Sequence, residues 1–87
     1  MSAVDLPEIP AGTVMQFAAA DWFPEPRRHA EHDVTVVVGA VYRQEINGRI
    51  WVRGHVCSWD EPECGRSACW EHQVLTSAVR ANLGGGR

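Results

Sequence analysis

The dipeptide Asn47-Gly48 constrains this chain more than any other feature. A two-residue type I′ turn needs positive φ at both central positions, and Asn-Gly meets that need at least steric cost. The flanks complete the signal: residues 34–45 and 49–59 are both rich in valine and aromatic residues, as paired strands should be. A two-residue turn sets Ile46 opposite Arg49, and the register then runs Gln44–Trp51, Tyr42–Arg53, Ala40–His55 and Val38–Cys57. Residues opposite one another share a face. One face therefore carries Val38, Tyr42, Trp51, Arg53, His55 and Cys57, and the other Val37, Val41, Ile50, Val52 and Val56. Both are apolar enough to need covering.

The hairpin has little else to pack against. A chain of 87 residues makes one domain with a thin core, burying only about 60–65% of its unfolded surface. Residues 1–12, with two prolines and a glycine, read as an extended lead-in, and Thr13–Phe17 as a third, edge strand. Residues 21–33 hold two prolines and many charges and read as a solvated connection. Ser67 is a suitable N-cap for a helix running to Leu83, and the glycines at 84–86 stop it. His72, Leu75, Val79 and Leu83 mark its inward stripe at helical spacing. The predicted fold is α+β: an antiparallel hairpin or three-stranded sheet plus one C-terminal helix over residues 13–83, with a glycine-rich tail at 84–87.

Three cysteines cannot close a disulfide set, but they cluster with two histidines as His55, Cys57, Cys64, Cys69 and His72. A structural zinc ion takes four N or S ligands in a tetrahedron. Cys69 and His72, three apart on a helix, are neighbours on its surface. Cys57 at a strand end and Cys64 in the following loop complete a Cys3His shell, with His55 as the spare ligand. The competing readings are reduced cysteines serving as small core residues, one disulfide, or an iron–sulfur cluster. In overall arrangement, a hairpin followed by a ligand-bearing helix resembles small zinc-finger architectures, though no CxxC knuckle is present. Zn2+ is the cofactor expected.

The function classes narrow by charge and chemistry. A net charge of −3 with no lysine beside eight arginines disfavours a broad grip on nucleic acid, and the arginine bias suits a GC-rich genome, actinobacterial or phage. No apolar run approaches the ~20 residues of a membrane span, and the N-terminus lacks a basic, apolar signal segment, so the expected compartment is the cytoplasm. A zinc deaminase needs a glutamate two residues after its first His or Cys ligand and a Pro-Cys-x2-Cys pair; His55-Val56-Cys57 lacks the first and Pro62-Glu63-Cys64 with Cys69 has the wrong spacing for the second. Trp51, Trp59 and Trp70 with Arg53 and Arg66 surround the proposed ligands, and aromatic and arginine side chains dominate binding hot spots. The predicted function is a non-enzymatic, zinc-binding protein–protein interaction or regulatory module. Its partner is a second copy, as a dimer, or a larger host protein. The alternative is a nucleic-acid-binding zinc module using the arginine–tryptophan face.

Overall fold

The computed structural model describes residues 2–56 and 69–85. These form strands β1 (Ser2–Ala3), β2 (Thr13–Phe17), β3 (Trp22–Phe23), β4 (Val34–Val41), β5 (Gln44–Glu45), β6 (Arg49–His55) and β7 (Trp70–Leu75), then helix α1 (Thr76–Arg80). Five strands make one antiparallel sheet in the order β2-β4-β6-β7-β3, while β1 pairs with β5 beside it. The edge strands β2 and β3 are separated in sequence only by Ala18 and the 3-10 turn Ala19–Asp21. A sheet whose opposite edges are that close along the chain must curl on itself. The result is a partly closed barrel, lined by Met15, Phe17, Val36, Ile50, Val52 and Val74, each at most 1% exposed.

The α+β class holds in this form, an antiparallel sheet with a C-terminal helix, but the sheet has five strands where three were predicted. The predicted helix over residues 67–83 is the main correction. Trp70–Leu75 instead forms a six-residue strand along β6, from Gly54↔Trp70 to Arg49↔Leu75. The helix begins only at Thr76, whose N–H donates to the Gly48 carbonyl at 2.9 Å. The unpaired edge of β6 decides this. Residues 70–75 satisfy its backbone groups and bury Trp70 and Val74 by period-two alternation, which outweighs helix propensity.

The turn forms as predicted, with φ of 54° at Asn47 and 77° at Gly48, and Ile46 pairs with Arg49. Beyond it the register departs from prediction. Tyr42 and Arg43 fall between β4 and β5, so Val41 faces Val52, and a bulge between Val38 and Ala40 then sets Val38 opposite Gly54. These shifts move Val38 to the inner face with Val41, Ile50 and Val52. Trp51, Arg53 and His55 remain on the outer face.

Two segments taken for connections belong to the fold. Leu6, in the predicted lead-in, is 7% exposed, and Val4 and Ile9 pack beside it against the core. Within residues 21–33, Trp22 and Ala30 are buried, and Ala30 donates its N–H to the Trp22 carbonyl at 2.8 Å.

Candidate functional site

Two regions collect the residues singled out from the sequence. The first lies at the closing seam of the barrel. Side chains alternate along β7, so Trp70, His72 and Val74 point inward, whereas Glu71 is exposed. The His72 ring sits 5.0 Å from Trp70 and 5.3 Å from Trp22, centroid to centroid. Trp22 is held by its indole N–H, which donates to the His32 carbonyl at 2.9 Å. Burial lowers the pKa of His72 below its ordinary value, and the neighbouring Glu71 carboxylate opposes this only in part. Trp70, expected on a partner-binding surface, is 6% exposed and stacks on Phe17 at 6.3 Å. It is a core residue.

This geometry separates Cys69 from His72. Their pairing as ligands depends on a helical turn over residues 69–72, and that turn does not form: His72 lies within β7 and Cys69 just before it. Cys69 instead borders β6: its N–H donates to the Gly54 carbonyl at 3.1 Å, and its Sγ accepts from the Val56 N–H at 3.4 Å. The β6–β7 pairing ends at Gly54↔Trp70, so Cys69 lies just outside it, at the end of the sheet where β6 finishes with His55. Cys57 and Cys64 lie outside the described residues, and among the described residues no three His, Cys, Asp or Glu side chains are placed to hold a metal ion.

The second region is the outside of the hairpin. Tyr42, Ile46 and Trp51 are 42%, 44% and 41% exposed and, with Val41, Arg43 and Gln44, line an open groove of about 610 Å³. The backbone break at Tyr42-Arg43 creates it. Tyr42 still donates its N–H to the Trp51 carbonyl at 2.9 Å, which fixes the two aromatic residues side by side. Arg43 turns to the N-terminal segment, donating to the carbonyls of Leu6 and Pro7, while its own carbonyl accepts from Val4 at 2.7 Å. The groove is lined by hairpin residues alone, and the N-terminal segment contributes by holding Arg43.

Of the other predicted surface residues, Arg53 stands opposite Glu71 on the outer face, and Trp59 and Arg66 lie outside the described residues. Arg49 is used internally: its guanidinium carbon lies 3.6 Å from the Phe23 ring centroid, and it donates to the Pro26 carbonyl at 2.6 Å. Tyr42 and Ile46 were not singled out as site residues from the sequence. The one signal pointing to them is the Tyr42-Arg43-Gln44 run, which interrupts the valine pattern where the strand breaks.

The chain matches no protein-family model. Comparisons with curated proteins and with solved structures likewise give no match. Among the described residues, no helix is long and apolar enough to cross a membrane.

Proposed function

We propose that this chain is a non-enzymatic protein-interaction module whose contact surface is the hairpin groove of Tyr42, Ile46 and Trp51. The observation that carries this reading is that three large apolar side chains stay two-fifths or more exposed around one concavity, while the other tryptophans of the described residues, Trp22 and Trp70, are buried. Tyrosine and tryptophan supply large contact area with few rotatable bonds, which is what binding hot spots select. The internal use of Arg43 and Arg49 weakens the nucleic-acid alternative, since cations held by carbonyls and an aromatic ring have fewer donors left for phosphates. Affinity capture with the wild type and with Trp51→Ala and Tyr42→Ala tests the proposal. A partner should be retained by the wild type and lost from both variants at unchanged melting temperature, and retention by all three would reject the groove. Failure to bind DNA or heparin at about 50 mM salt would remove the alternative.

A structural zinc ion remains a proposal for the connection between β6 and β7. His55 and Cys69 are the candidates that flank that connection, since β6 ends at His55 and Cys69 bonds the end of β6 at Gly54 and Val56. Elemental analysis of freshly purified, reduced protein checks it. One zinc per chain, lost in Cys69→Ser and kept in His72→Ala, is the result expected, and metal-free protein would reject it.

A further inference from the structure

Strand β2 is an edge of the sheet, and its outward hydrogen-bonding groups are met in an unusual way. The Gln16 N–H donates to Asn82 Oδ1 at 2.9 Å, and Asn82 Nδ2 donates back to the Gln16 carbonyl at 2.9 Å. A side-chain amide carries the same donor and acceptor as a peptide group. Asn82 therefore occupies the place of one residue in an absent neighbouring strand. Its Nδ2 also donates to the Ala78 carbonyl at 2.9 Å, which anchors the amide to α1.

The strand's own sequence carries none of the charges or prolines that usually protect an edge. Proteins guard edge strands with charges, proline, bulges or covering elements, but β2 reads Thr-Val-Met-Gln-Phe, without a charge or a proline. Backbone groups alternate in direction along a strand, so with Gln16 facing outward the N–H and C=O of Val14 face outward too. Val14 is 59% exposed, more than any other large apolar residue of the core-forming strands.

We propose that Asn82 is an edge plug that keeps this chain monomeric, and that β2 freed of it pairs antiparallel with β2 of a second copy. The second copy is the occupant because the strand is self-complementary. A twofold axis at Met15 sets Val14 against Gln16 of the second copy and Gln16 against its Val14, so that only outward-facing backbone groups pair; the Gly12 N–H is already given to the Val38 carbonyl at 2.8 Å. The pairing brings no like charges together. In the plugged state the Asn82 amide stands where the partner's residue 14 would lie, so the two arrangements exclude each other.

Amide hydrogen exchange combined with sedimentation velocity over a concentration series tests this. In the wild type, a single monomeric species is expected, with Gln16 protected and Val14 exchanging freely; equal protection of both, or a wild-type dimer through β2, would overturn the proposal. Asn82→Ala should shift to dimer as concentration rises, and protection at Val14 and Gln16 should rise with it. Asn82→Ser is the second variant: its hydroxyl keeps a bond to the carbonyl four residues back, preserving the helix end, but is too short for Gln16. It should dimerise as well, and adding Val14→Lys should return either variant to monomer. A folded Asn82→Ser that stays monomeric, or that associates without new protection at Val14, rejects the plug.

Discussion

Gly54 passes so close beneath Val37 that a Cβ at position 54 would stand 2.3 Å from the Val37 carbonyl oxygen and 2.9 Å from Val36 Cγ1. That approach holds β6 against β4 where the bulge realigns the register. Gly54→Ala forces backbone apart and should cost about 2–3 kcal/mol, in the range of overpacked cores. Gly39 offers the control. Its added Cβ meets only the Arg53 carbonyl at 3.5 Å, so Gly39→Ala should lie within about 0.5 kcal/mol of the wild type. Urea denaturation of both variants checks the contrast, and similar midpoints would contradict the packing described.

Thr76 makes the opposite prediction. It is 4% exposed, and its Oγ1 has no hydrogen-bond partner among the described residues. An unsatisfied buried hydroxyl carries its desolvation cost with no return, whereas a methyl group in the same volume does not. Thr76→Val should therefore stabilise the fold by about 1 kcal/mol. A lowered thermal midpoint would show that the hydroxyl has a partner.

His72 ties stability to pH. Its pKa in the folded chain is lowered, first by burial, so as pH falls the unfolded chain takes up the proton first. Stability due to this group is full well above the unfolded value of about 6.5 and is lost as pH falls through it. The loss stops growing once pH is below the folded value. Urea midpoints measured from about pH 5 to about pH 8 should rise with pH across that window, and His72→Gln should flatten the rise. An unchanged slope in the variant would assign the effect to other groups.

The tryptophans divide by position. Trp70→Ala empties part of the barrel seam between Phe17, Trp22 and His72 and should cost about 3–5 kcal/mol. Trp51→Ala removes an exposed side chain and should change stability by no more than about 0.5 kcal/mol. Calorimetry of the two variants decides it, and comparable losses would mean that Trp51 is part of the core.

How far these features can be foreseen depends on the range of the interaction behind them. The Asn47-Gly48 turn and strand β2 are visible because their causes are local: positive φ at two residues, and a short alternation of β-formers. The two-residue strand at Trp22–Phe23 carries no such pattern and exists because β7 presents a free edge to it. Residues 70–83 fit a helical stripe and an alternating strand alike up to Leu75, and periodicity alone cannot separate short apolar segments of this kind.

The sequence by itself determines the hairpin, its turn type, the apolar content of a thin α+β domain and the clustering of Cys57, Cys64 and Cys69 with histidines. Tertiary structure decides which of these residues meet. Closure of the sheet through residues 13–23 draws Trp70 and His72 inward, a two-residue break at Tyr42-Arg43 leaves Trp51 beside Tyr42 on the surface, and the pairing of β7 with β6 brings Cys69 to Gly54 and Val56. The physical reason is the period of two. Each bulge, break or change from helix to strand transfers every following side chain to the other face, and those irregularities are set by backbone hydrogen bonds to distant strands.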